Sequence, residues 1–169
     1  RRGLFKHVQD LAPQITGKTL DVGCGSKPYE SLYDSSEYIG LEYDTPENRS
    51  IKKADFFYDG TNFPFEDNSF DSAVLNQVFE HVFNLKDILL EINRVHKKNG
   101  LILVTMPFVW HEHEMPNDFG RYTSSGINNI LKNSNYEIIK HIKSPSFFSG
   151  LRPVASSCNK PAVVIARCN

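Results

Sequence analysis

One stretch constrains this chain more than any other: LDVGCGSKPYE, residues 20–30. A short apolar run carrying the acid Asp21 passes directly into a Gly-x-Gly turn at Gly23 and Gly25. Glycine tolerates left-handed backbone and lets main chain approach a ligand closely. A strand ending this way suits an open sheet whose ligands bind beyond the carboxyl ends of the strands. The rest of the chain then has to supply parallel neighbours and their crossovers.

The hydrophobic pattern supplies them. Leu4, Phe5, Val8, Leu11 and Ile15 recur at helical spacing and predict an opening helix over residues 4–15. Apolar runs predict strands at 19–22, 38–43, 54–57, 72–76, 101–105, 136–142 and 162–166. Pro28 opens a short helix after the glycine turn, because its fixed φ suits a first helical position. Leu85, Ile88, Leu89, Ile92 and Val95 form an amphipathic helix stopped by Asn99-Gly100. Thr123 caps a further helix through Ile127, Ile130 and Leu131. The stretch FPFEDNSFD, 63–71, is a turn-rich bridge. This alternation predicts an α/β fold: a doubly wound, mostly parallel sheet with helices on both faces.

At 169 residues, the whole of 1–169 reads as a single domain. The chain opens on Arg1-Arg2-Gly3 without a methionine or a signal-peptide core, so a trimmed start is expected. The Ser- and Pro-rich stretch 144–160 is expected to be a loop or a partly disordered lid. A formal net charge of −1 gives no footprint for nucleic acid or an anionic membrane, and no run reaches the length of a membrane span. Cys24, Cys158 and Cys168 are too few and wrongly spaced for a disulfide framework, which suggests reduced thiols and a cytoplasmic setting. Cys24, inside the turn, reads as a small buried filler rather than a nucleophile.

Three nucleotide readings compete for the turn. A phosphate-binding loop needs Gly-Lys-Ser/Thr, and Ser26-Lys27-Pro28 does not supply it. A dinucleotide fingerprint needs a third glycine where Pro28 stands, so a nicotinamide oxidoreductase requires that proline to be tolerated. The remaining reading is a ligand with adenosine and ribose but no phosphate. Glu42, after the second strand, suits a ribose diol because a carboxylate accepts from both hydroxyls.

Taken together, LDVGCGSKPYE, YIGLEYD, DGTNFPFEDNSFD, NQVFEHV and EINRVHKKNGLILVTMP resemble the class I S-adenosylmethionine-dependent methyltransferases, of the type 11 kind. The motifs run in that family's order from about residue 19 to 107. The resemblance implies a Rossmann-like, seven-stranded sheet with its last strand antiparallel, and S-adenosylmethionine as cofactor, leaving S-adenosylhomocysteine. It also implies roles. Asp21, Gly23, Cys24 and Gly25 would line the methionine end, and Glu42 would take the ribose hydroxyls. Asp59 and Gly60 would meet the adenine, with Phe63, Phe65 or Phe79 packed on it or simply in the core. Asn76 and Gln77 would place carbonyls near the ammonium. Lys27 departs from the pattern, standing where many members have a third glycine.

The stretch MPFVWHEHEMPNDFGRYT, 106–123, is dense in chemistry just past a strand end. It resembles the H-E-x-P-x-D-x-x-R-Y-T loop of a methyltransferase subgroup linked to cell-surface sugars or small molecules. A hydroxyl or amine acceptor must lose a proton, which a histidine does near neutral pH. His113 is the first candidate, with His111 and His81 behind it. Glu114, Asp118, Arg121 and Tyr122 are expected to bind the acceptor, although Asp118 and Arg121 also suit a bracing ion pair. His111, His113, Glu114 and Asp118 are metal-ligand types, but they lack a fixed helical spacing, so no metal is expected. The expected partner is a small-molecule methyl acceptor, and the chain is expected to be a monomer or homodimer. The alternative is a catalytically silent cofactor-binding module serving another subunit.

Overall fold

Among the described residues seven strands form one sheet in the order β3-β2-β1-β4-β5-β7-β6. The structure is a computed structural model, and it describes residues 2–108, 110–143 and 161–169. The strands are β1 (Thr16–Val22), β2 (Asp34–Tyr43), β3 (Phe56–Tyr58), β4 (Phe70–Asn76), β5 (His96–Pro107), β6 (Tyr136–Lys143) and β7 (Pro161–Cys168). All neighbouring pairs are parallel except those of β7, which runs antiparallel to both β5 and β6. The expected Rossmann-like architecture with its last strand reversed is therefore present. The strand order reverses between β1 and β4, and this switch lies at the carboxyl end of the glycine-turn strand.

Period-two alternation decides which residues face which layer. Ala73, Leu75, Ile102 and Val104 join one core with Leu89 and Ile92 of α3 (Leu85–Val95) and Leu131 of α4 (Ser124–Asn133). Val74, Leu103, Val163 and Ile165 face the other way, onto Val8 and Leu11 of α1 (Arg2–Leu11). Strands buried on both faces read as continuous apolar runs, which is why 101–105 shows no polar alternation. The fourth helix in order of size, α2 (Pro46–Ile51), crosses from β2 to β3, and Thr45 caps it by accepting from Asn48 N at 3.0 Å. Thr123 caps α4 as expected, accepting from Gly126 N at 3.1 Å.

Two local expectations need correction. Pro28 does not start an α-helix: the segment closes through Lys27 N to Cys24 O and Glu30 N to Lys27 O, and reaches only a 3-10 turn at Glu30–Leu32. Lys27, just before Pro28, is itself left-handed at a φ of 55°. Likewise α3 ends at Val95, not at Asn99-Gly100, because His96 already has extended backbone and pairs with Phe70. Asn99 (φ 66°) and Gly100 instead absorb a register shift inside β5. A Cβ on Gly100 would stand 2.9 Å from Lys97 O, so glycine is required there for close approach. The stretch 144–160 lies outside the described residues.

Candidate functional site

Asp21 stands on β1 next to the turn and is buried. Its Oδ2 accepts from the Tyr38 hydroxyl at 2.7 Å, while its Oδ1 is buried with no hydrogen-bond partner. Burial pushes its carboxyl up to about 7, partly opposed by the Tyr38 hydrogen bond. Behind it the turn is held tightly, with Gly23 N donating to Leu41 O at 2.8 Å. Gly23 (φ 69°) has no room for a side chain, since a Cβ would stand 2.7 Å from Val78 Cγ2. Gly25 (φ 54°) faces open space within 4 Å. Glu42, at the end of β2, accepts from Gly25 N at 3.0 Å and from Tyr43 N at 3.2 Å, tying the second strand end to the turn.

Lys27 resolves in an informative way. It keeps the left-handed backbone that a glycine would take, and its ammonium bonds Asp55 at 2.5 Å. Asp55 also accepts from Gly40 N at 2.6 Å. The lysine is thus turned onto the β2–β3 side and neutralised there. Cys24 is buried against Gly40, and burial pushes its thiol up to about 12. It is packing, not a nucleophile.

Asp59 is solvent-exposed after β3, and its Oδ1 accepts from Thr61 N, Thr61 Oγ1 and Asn62 N, each at 2.8 Å. These donors hold its carboxyl well below the usual range. Gly60 (φ 94°) lies against Tyr43: a Cβ would stand 3.0 Å from that ring. Phe63 and Phe79 are core residues, and Phe65 is edge-packed between Phe56 and Phe70. Asn76 and Gln77 close β4. Asn76 donates to the Tyr33 hydroxyl at 3.3 Å, and Gln77 N (φ 59°) donates to Thr105 O at 3.0 Å.

Past β4, a 3-10 turn (Phe79–His81) carries Glu80 and His81 toward the loop that follows β5. Phe119 N and Gly120 N both donate to Glu80 O, which fastens the loop to this turn. His81 Nδ1 lies 2.7 Å from Asn117 O. His113 Nδ1 lies 3.2 Å from His111 O and 3.3 Å from Asp118 Oδ2. The two imidazoles meet edge to face at 4.9 Å. His111 is exposed, stacked on Trp110, and its ring lies edge to face with His113 at 6.4 Å. Asp118 and Arg121 form a two-pronged ion pair at 2.5 and 2.8 Å, and Arg121 also donates to Gly120 O and His111 O. Arg121 therefore braces the loop. Glu114 is exposed, and Tyr122 donates to Phe79 O at 3.5 Å.

Three residues escaped the sequence reading. Tyr38 supplies the hydroxyl for Asp21, and Thr105 pins Gln77. Glu80 is the most consequential: it is fully buried, neither carboxylate oxygen has a hydrogen-bond partner, and burial pushes it up to about 7. Its signal was an acid beside His81 within the otherwise apolar VFEHV.

The end of β1 fits a ligand that carries an ammonium group. A buried, donor-less oxygen on Asp21 suits an ammonium, and the open face of Gly25 leaves room for the ligand's main chain. The chain is 30% identical over 109 residues to an uncharacterized protein of Methanocaldococcus jannaschii, covering 61% of this chain and 48% of that one. It is 29% identical over 112 residues to demethylmenaquinone methyltransferase of Staphylococcus haemolyticus, covering 58% of this chain and 47% of that one. It thus spans about half the length of these curated relatives. The same fold recurs in a chain of the complex between a Haloferax volcanii methyltransferase activator and a methyltransferase (TM-score 0.72, 17% identity, 99% of this chain and 90% of that one). It recurs again in an S-adenosylmethionine-dependent methyltransferase of Mesorhizobium loti (TM-score 0.68, 12% identity, 96% of each chain). The methyltransferase domain family matches residues 20–104, from the glycine turn through β5, and the chain belongs to that family, the class I methyltransferases whose cofactor is S-adenosylmethionine.

Proposed function

We propose that this protein methylates an oxygen or nitrogen of a small molecule, with a cell-surface sugar or related metabolite as the acceptor class its loop resembles. The observation that carries this reading is positional. Asp21 and Glu42 end β1 and β2, while His81 and His113 follow β4 and β5, so cofactor acids and imidazoles stand beyond the carboxyl ends of four neighbouring strands.

The bound cofactor supplies a methyl group on an electrophilic sulfonium. Asp21 Oδ1 would hold its ammonium, Glu42 its ribose hydroxyls, and Asp59 with the Gly60 N–H its adenine. Acids around a cationic ligand are favoured by simple electrostatics. The carbonyls at Asn76 and Gln77 are assigned to the same ammonium. The acceptor loses its proton at the cluster formed by His113, His81 and Glu80, with His111 at its edge. Asp118 and Arg121 hold the loop, and Glu114 and Tyr122 shape the acceptor side. Fixing acceptor and methyl in line is the protein's main contribution.

Transfer of a labelled methyl group to a panel of hydroxylated and amino small molecules tests the reading. Label in an acceptor, with His113→Asn lowering turnover by about a hundredfold or more, is the expected result. S-adenosylhomocysteine binding without transfer to any acceptor overturns it. That outcome supports the silent module, a second reading favoured by the activator-bound structural neighbour and by the exposed Phe83–Phe119 pair, 5.5 Å apart.

A further inference from the structure

We propose that Glu80, His81 and His113 form a binding site for one divalent transition-metal ion. One ligand atom from each of the three lies within 4.8 Å of the others. Ligands around a zinc-class ion at about 2.0–2.2 Å sit roughly 3–3.5 Å apart, so the cluster needs to draw in by about an ångström.

Two independent observations point to a ligand here. The first is Glu80 itself. A fully buried carboxylate with neither oxygen hydrogen-bonded is expensive, and such groups are normally paired or metal-bound. The second is the orientation of the imidazoles. Asn117 O can only accept, so His81 Nδ1 carries a proton, and in the neutral imidazole the lone pair is on Nε2. That Nε2 faces Glu80 Oε1 and Glu114 Oε2, each at 4.0 Å. His113 Nδ1 likewise sits between two acceptors, His111 O and Asp118 Oδ2, which leaves its Nε2 free. A metal-ligating histidine almost always donates its other N–H to a carbonyl or carboxylate, and both residues do so here. Arg121 adds no net repulsion, because Asp118 neutralises it. Two imidazoles and one carboxylate with open positions suit zinc, cobalt, iron or manganese rather than calcium.

The loop binding this ion is the one facing the acceptor. A consequence that rests on the methyl-transfer reading is that an oxygen of the acceptor completes the coordination, favouring acceptors with a ligating hydroxyl or carboxylate. A hydroxyl on such an ion gives up its proton to solvent more readily, so with the ion bound His81, His113 and Glu80 hold the metal and the proton leaves to solvent rather than to an imidazole.

Cobalt(II) titration of the chelator-treated protein tests the site directly. The expected result is one saturable equivalent with visible ligand-field bands. Both Glu80→Gln and His113→Asn should weaken binding at least about tenfold, while His111→Asn should leave it unchanged. Glu80→Gln keeps the shape and removes a buried charge, and circular dichroism checks its fold. His113→Asn, in the surface loop, is the second variant. The absence of saturable binding, or equal binding by wild type and both variants, overturns the proposal. Calorimetry with S-adenosylhomocysteine on the same samples separates the two readings. Cofactor binding without cobalt binding overturns the metal site alone, and cobalt binding without cofactor binding supports it while removing the methyl-transfer reading.

Discussion

Asp21 is the residue where burial and chemistry meet most directly. Its carboxyl is held near pH 7 by desolvation, so in the free protein it keeps its proton below that value. A ligand ammonium favours the ionised form. Binding of S-adenosylhomocysteine should therefore strengthen as pH rises through about 7 and release a proton, seen by calorimetry in buffers of different ionisation enthalpy. Asp21→Asn should abolish the proton release and weaken binding by about 1.5–3 kcal/mol, the range for a charged hydrogen bond. Binding indifferent to pH and to this change would contradict the assignment. The two turn glycines separate stability from binding. Gly25→Ala costs about 1–2 kcal/mol for its left-handed backbone but projects a methyl into open space, so the fold survives and cofactor affinity falls. Gly23→Ala carries the same backbone cost plus a clash with Val78, and thermal melts should show the larger loss. Lys27 shows why a motif departure need not be a functional one: the lysine keeps the backbone of the absent glycine and disposes of its charge on Asp55.

At the scale of elements, periodicity was readable wherever a segment buries one helix stripe or two strand faces. Leu89 and Ile92 of α3 are fully buried as their spacing implied, and Leu89→Ala should cost about 2–5 kcal/mol in denaturant unfolding. Thr123→Ala, which removes the α4 cap, should cost about 1 kcal/mol. What local pattern missed was set by distant strands. Pro28 and Asn99-Gly100 carry helix signals, yet the first segment closes in tight turns and pairing of His96 with Phe70 claimed the second. The acceptor loop was legible as a concentration of polar types but not as a geometry. His81 meets Asn117 across 36 residues of sequence, and no spacing rule brings them together. Glu80 stayed hidden for the same reason, since burial is a property of the packed loop and not of the residue.

For the whole molecule, the two-sided core carries a pH signature. His96 is buried against Tyr136, and burial lowers it to about 4. The unfolded chain binds its proton near 6.5, so wild type loses stability from this group as pH falls from about 6.5 toward 4. His96→Phe has no such loss. Its stability relative to wild type should improve by up to about 3 kcal/mol between pH 7 and pH 4 in denaturant melts, and a constant difference would show the histidine is solvated. Among the described residues no helix is long and apolar enough to cross a membrane. One cofactor site is assigned to the strand-end acids of β1 and β2. Calorimetric titration of the chain with S-adenosylhomocysteine tests it most directly. The account predicts saturable one-to-one binding that weakens by at least about 1 kcal/mol in Glu42→Ala, whose carboxylate ties the turn to β2. Folded protein that shows no saturable binding, or that binds equally well without Glu42, contradicts it.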